Sequence, residues 1–181
     1  MSALSRVRGR QLAAGAIGGI AGLIAMQLVQ KLFSPLVRPR VHKPTDVFAT
    51  ERSISPLGPK HHPDEDATDA IARIAYSKVR GHEPSPKLEN LLSWGVHIGY
   101  GLVAAAAYSL VRGRRSRHPV RDGVVFGTAL WLAGNELAMP LLGLTDKPTA
   151  YSPSQHAQML AAHLGYGVAS TVTTRYLERA R

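Results

Sequence analysis

Apolar and polar positions are not interleaved along this chain. Apolar residues gather into four blocks, Leu12–Phe33, Leu91–Val111, Gly123–Leu144 and His156–Thr174. Each block is about 19 to 22 residues long, and at a rise of roughly 1.5 Å per residue that is one crossing of a hydrocarbon layer about 30 Å thick. The third block and the residue after it read GVVFGTALWLAGNELAMPLLGLT, in which Glu136, beside Asn135, is the one ionisable group. Few soluble helices stay apolar on every face for so long. The pattern predicts an all-α protein, a four-transmembrane-helix bundle. Residues 1–181 form a single membrane domain, with a long, mostly irregular extracytoplasmic loop over 34–90 that contains one amphipathic helix.

The loop is polar, and Pro35, Pro39, Pro44, Pro56, Pro59 and Pro63 break any long helix in its first half. The run Asp64–Gly81 reads as helical, with acidic residues leading, Lys78 and Arg80 near the end and Gly81 as the C-terminal cap. Ala67, Ala70, Ile71, Ile74 and Ala75 give it a modest apolar stripe, suited to lying on the membrane or capping the bundle. His61 and His62, followed by Asp64 and Glu65, have the residue types for a divalent cation, but solvated polarity is the expected meaning of the group. In the third block Pro140 is expected to kink or loosen the helix.

Composition changes this picture little. A mean hydropathy of −0.06 suits a soluble domain only because the apolar blocks are diluted by a polar half. The formal charge of +10 would suit nucleic acid, but its distribution argues for a membrane. Arg6, Arg8 and Arg10 precede the first block, Arg112, Arg114, Arg115, Arg117 and Arg121 lie around the link between the second and third, and Arg175, Arg179 and Arg181 close the chain. The opposite short loop, 145–155, has only Lys147. This asymmetry predicts N- and C-termini in the cytoplasm, with the arginines against anionic lipid head groups and no nucleic-acid partner. The chain has no cysteine, so disulfides, thiolate metal sites and cysteine nucleophiles are excluded.

Within the blocks a few polar residues stand at similar depth. Counting turns from the expected outer ends, Gln27, His97, Glu136 and His163 all fall roughly 9 to 12 Å below the outer hydrocarbon surface. With Asn135 they form a candidate buried polar cluster, since intramembrane polar groups face neighbouring helices rather than lipid. Three readings follow: side chains that satisfy one another and fix helix register, a polar pocket for a proton, ion or small solute, or a cofactor site in which His97 and His163 hold a haem from two sides. No other cofactor and no metal site is expected. Gly15, Gly18, Gly19 and Gly22 give the first block small-xxx-small spacing, suited to close helix contact and to a homo-oligomer.

The segment His97, Gly101, Tyr108, the run Pro140–Thr145 (PLLGLT), the late His163 and the loop residues Arg40, Pro44, Asp46 and Phe48 resemble the YagU family of bacterial inner-membrane proteins. The resemblance covers most of residues 12–178 and implies an inner-membrane location and four crossings. It implies no reaction, because that family has no settled activity. Members often carry charged residues in the outer part of the first helix, where this chain has Gln27, Gln30 and Lys31. No enzyme is expected: the chain has no G-x-S-x-G elbow, phosphate loop, H-E-x-x-H or paired carboxylates on one helix. The reading is a multi-pass membrane protein with a buried polar layer, of proton, ion or small-solute handling or membrane-stress accessory character. The alternatives are a haem- or metal-binding membrane protein using His97 and His163, or a structural or accessory subunit of a membrane complex.

Overall fold

The computed structural model describes residues 3–37, 53–63, 65–112 and 118–180, with side chains from residue 8 onward. The side chains of Arg6, Asp64, Arg114, Arg115, Arg117 and Arg181, and the family-like residues Arg40, Pro44, Asp46 and Phe48, lie outside them. Among the described residues the chain is helical with no strand. The long helices are α1 (Ala3–Phe33), α2 (Ala67–Arg80), α3 (Pro86–Arg112), α4 (Pro119–Leu130) and α5 (Pro153–Arg179). A π-helical stretch, Trp131–Ala138, and a short turn, Met139–Leu141, prolong α4.

Helices α1, α3 and α5 extend past their apolar blocks, while α4 with its prolongation starts before its block and ends at Leu141, short of Leu144. The basic N-terminal arm is part of α1, and α3 begins five residues before Leu91, because Pro86 can open a helix whose first N–H groups have no partner to lose. The polar excursion is therefore shorter than 34–90. Three stretches, Arg8–Leu36, Pro86–Arg112 and Pro119–Leu141, are long and apolar enough to cross a membrane. Helix α5 is as long as α3 but more polar, and falls outside that set.

The chain divides into two compact units. The first comprises 1–37, 98–131 and 156–181. In it α1 runs antiparallel to α5 over most of its length: Thr174 Oγ1 donates to the Ala14 carbonyl, Gly18 abuts the Ser170 carbonyl, Gly22 abuts that of Tyr166, and Gln158 Nε2 donates to the Gln30 carbonyl. The 16-residue interval from Ala14 to Gln30 corresponds to about 24 Å of helix. The C-terminal half of α3 is likewise antiparallel to α1, with Ser109 Oγ donating to the Gln11 carbonyl and Gly19 beside the Gly101 carbonyl. A Cβ at Gly22 would lie 2.8 Å from the Tyr166 carbonyl oxygen, so only glycine permits this approach. Helix α4 reaches α5 in the same way, a Cβ at Gly127 falling 2.8 Å from the His163 carbonyl carbon.

These contacts explain the polarity of α5. Its buried positions are Ala162, His163, Tyr166, Gly167, Ser170, Thr171 and Thr174, while Val172 and Tyr176 are its exposed large apolar residues. By contrast α1 exposes Ile17, Ile20, Ile24, Leu28 and Leu32. A helix enclosed by protein does not need a lipid-compatible surface. Gly15, Gly18, Gly19 and Gly22 of α1 are occupied by α3 and α5 of the same chain, so a homo-oligomer would have to use another face. Met26, Ala105, Phe126, Ala162 and Tyr166 form the core, where Phe126 stacks on Tyr108 with ring centroids 4.1 Å apart.

The second unit comprises 38–97 and 132–155. Helix α2 begins at Ala67 and is closed by Gly81 at φ 75°, the left-handed cap expected of that glycine. Ala70, Ala72 and Arg73 are its buried positions, and Ser93 Oγ donates to Thr68 Oγ1 at 3.0 Å, tying α2 to the start of α3. The connection before α2 is not a loose strand of chain. Lys60 N donates to the Gly143 carbonyl at 2.7 Å, and Gly143, at φ 75°, packs its Cα against the Gly58 carbonyl.

Candidate functional site

The five residues of the expected polar cluster divide between the two units: Gln27 and His163 belong to the first, His97, Asn135 and Glu136 to the second. In the first unit, the antiparallel register of α1 on α5 puts position 27 level with position 161, about 3 Å along the axis from His163. His163 is buried, and its Nδ1 donates to the Met159 carbonyl at 2.8 Å. Gln27 lines an open depression of about 340 Å³ with Gln30, Lys31, Ser34, Gln158 and Met159.

Most interior hydroxyls of this unit are spent on the backbone. Thr171 Oγ1 lies 2.7 Å from the Pro119 carbonyl and 2.9 Å from that of Gly167, Ser109 Oγ donates to Ala106 at 2.7 Å, and the Tyr166 hydroxyl donates to the Gly101 carbonyl. The gap enclosed by Ala105, Tyr108, Phe126, Ser170 and Thr171 is too small for a water. An ion pair closes the other end: Arg112 Nη2 meets Glu178 Oε2 at 3.1 Å, both side chains being almost wholly buried, and Arg175 Nη1 approaches the same oxygen at 3.7 Å.

In the second unit Asn135 and Glu136 both lie on the π-helical stretch. Proline at 140 has no N–H and its ring would clash with the carbonyl four residues back, that of Glu136, in a regular α-helix. Widening the helix before the proline relieves that clash, and such stretches recur at functional sites. His97 packs edge-on against Trp94, ring centroids 6.2 Å apart, and its buried Nε2 has no hydrogen-bond partner among the described residues. The two candidate haem ligands thus belong to different units, and pairing them through a haem rests on the sequence. Among the described residues no group of three or more His, Cys, Asp or Glu is arranged to hold a metal ion.

Within the group at 61–65 the His62 side chain is exposed, as solvated polarity would have it, whereas His61 and Glu65 are buried. The His61 side chain is 8% exposed, with Nδ1 2.9 Å from the Gly143 carbonyl and Nε2 3.2 Å from Asp146 Oδ1. Glu65 is clamped by Arg73 and accepts the His62 backbone N–H at 2.6 Å. Arg73 also donates from Nη2 to the Lys60 carbonyl at 2.7 Å, so one buried guanidinium ties both Lys60 and Glu65 to α2. Burial alone would raise the Glu65 carboxyl, but the Arg73 and His62 hydrogen bonds outweigh it and hold its pKa below 4.5. Burial, with Asp146 and Asp66 nearby, pushes the Tyr151 phenol up to about 12 and keeps it neutral.

Sequence reasoning missed the Arg73 clamp, because Arg73 sits in the middle of a helix expected to show its charges to solvent. A signal was present: Arg73 shares a helical face with Ala70, within the apolar stripe. Compared with known protein families, curated proteins and solved structures, the chain matches none.

Proposed function

We propose that the protein is a multi-pass inner-membrane protein with four crossings and cytoplasmic termini, a packed anchor that presents its second unit to a partner outside the cytoplasm. The observation that carries this reading is the fate of the polar groups in the first unit. Most hydroxyls that would line a solute path, those of Ser109, Tyr166, Thr171 and Thr174, are tied to backbone carbonyls, and the gap beside them, where Ser170 Oγ is buried without a partner among the described residues, is too small for a water. The buried polarity then serves helix register, an accessory or structural role rather than transport. Helix α5 counts as the fourth crossing because it lies along α1 for about 24 Å, and a helix so placed shares the depth of its neighbour. The arginine asymmetry supports the orientation, with anionic head groups against the cytoplasmic arginines. The likeness to the YagU family, resting on His97, Gly101, Tyr108, Pro140–Thr145 and His163, agrees with this location.

Photo-crosslinking in native membranes tests the reading. A crosslinking residue at exposed Leu57 or Val79 is expected to give discrete protein adducts, and one at lipid-facing Ile20 none. Failure at both second-unit positions contradicts it. A second reading, proton handling at Glu136, is favoured by one observation, the seat of that acid on a π-helical stretch. Proton flux into proteoliposomes that is present in the parent and lost in Glu136→Gln would select it over the anchor.

A further inference from the structure

The depression at the C-terminal end of α1 is formed by residues of the first unit alone. The described residues that line it, Gln27, Gln30, Lys31, Ser34, Gln158 and Met159, include one charge, the Lys31 ammonium, with three amides and a hydroxyl around it. Two of those groups are partly engaged: Ser34 Oγ donates to the Lys31 carbonyl at 3.0 Å, and Gln158 Nε2 to the Gln30 carbonyl at 3.1 Å. These bonds fix the rim. They leave the Lys31 ammonium and the Gln27 amide without a protein partner among the described residues.

The surroundings say what kind of molecule fits. Gln27, Gln30, Lys31 and Ser34 are spaced three and four apart, and so share one polar face of the helix. Leu28 and Leu32, 64% and 72% exposed, lie on the adjoining face and continue the apolar row of Ile17, Ile20 and Ile24. Lys31, three residues after Leu28, stands where the two faces meet. A ligand held here has an anionic group for Lys31, hydroxyl or ester oxygens for the amides, and hydrocarbon to lay along the leucines. Among the described residues the charge to be matched is a single positive one, which suits a phosphodiester. The volume, about 340 Å³, is of head-group size.

We propose that this depression binds an anionic phospholipid of the phosphatidylglycerol class, with its phosphate on the Lys31 ammonium, the ester oxygens of its glycerol backbone at the Gln27 and Gln158 amides, its head-group glycerol toward Ser34, and its acyl chains along Leu28 and the apolar row below it. The site lies at the end of the helix opposite the N-terminal arginines. It is therefore distinct from any head groups those arginines attract. It does not depend on the anchor reading above, since a transporter would bind such a lipid equally well.

Intact-complex mass spectrometry of the full-length protein in detergent, titrated with short-chain phosphatidylglycerol, tests the proposal. Lys31 is exposed, so Lys31→Gln should fold as the parent does. The variant should bind the lipid about fivefold more weakly, the effect of one lysine near a phosphate, while Lys31→Arg keeps parental affinity. Gln27→Leu should weaken binding too. Glycerol 3-phosphate, which has the head group without the chains, should compete poorly. Equal binding by Lys31→Gln and the parent overturns the site. Competition by glycerol 3-phosphate as strong as by the lipid overturns the lipid as its ligand. Equal binding of short-chain phosphatidylcholine overturns its charge selectivity.

Discussion

Arg73 grips Glu65 through two parallel bonds, Nε to Oε1 at 2.7 Å and Nη2 to Oε2 at 2.8 Å, with the two side chains 10% and 6% exposed. A forked guanidinium is the side chain that can make this pair while still reaching the Lys60 carbonyl. Arg73→Ala strands a buried carboxylate, and the expected loss is about 3–5 kcal/mol. Arg73→Lys should recover little of it, because an ammonium cannot reproduce the fork. Thermal unfolding, with amide hydrogen exchange at Lys60–His62 as the local probe, measures both. Arg73→Met with Glu65→Leu removes both charges together and should be less damaging than Arg73→Ala alone.

The same pair sets an acid limit. Glu65 titrates lower in the folded chain than in the unfolded one, so at acid pH the unfolded state binds more protons. Its contribution is fully present above the unfolded value of 4.5 and is lost as the pH falls through the lower folded value. Exchange protection of the His62 amide, followed from pH 6 down to about 3, should collapse over that interval. Glu65→Gln should flatten the profile.

Gly143 should tolerate no side chain. Its φ of 75° disfavours one, and an added Cβ would meet the Gly58 backbone. Strain of about 1–2 kcal/mol is expected for Gly143→Ala from the backbone alone. The amides of Lys60 and His61, which donate to the Gly143 carbonyl, should lose exchange protection first.

Inside the first unit, Gly22→Leu should separate α1 from α5 and cost at least about 1–3 kcal/mol, the usual penalty for overpacking. Ile20→Leu, on the exposed side, should change the melting temperature little. Thermal stability in the same detergent compares them.

The helices were legible in the sequence because a crossing needs an unbroken apolar run, and α1, α3 and α4 show one. Their ends were not, since arginines and prolines can extend a helix beyond the hydrocarbon without lengthening the apolar block. Helix α5 was legible by length alone, its His163, Ser170 and Thr174 making sense only once the enclosing helices are known. The π-helical stretch was half visible: Pro140 announced a disturbance, but not that the helix widens through Asn135 and Glu136 to absorb it. Least visible was the connection around His61 and Glu65, whose partners Gly143 and Asp146 lie some eighty residues along the chain. A sequence read in local windows has no access to such a pairing.

Four crossings are the claim on which the rest stands, and the native chain, free of cysteine, lets it be tested directly. Single cysteines at Leu57, His118, Thr149 and Ala180 would be labelled in intact cells with a reagent that does not cross the inner membrane. The account predicts labelling at 57 and 149, with 118 and 180 reacting only after permeabilisation. Labelling of 180 together with 149 in intact cells would leave α5 on one side of the membrane and contradict it.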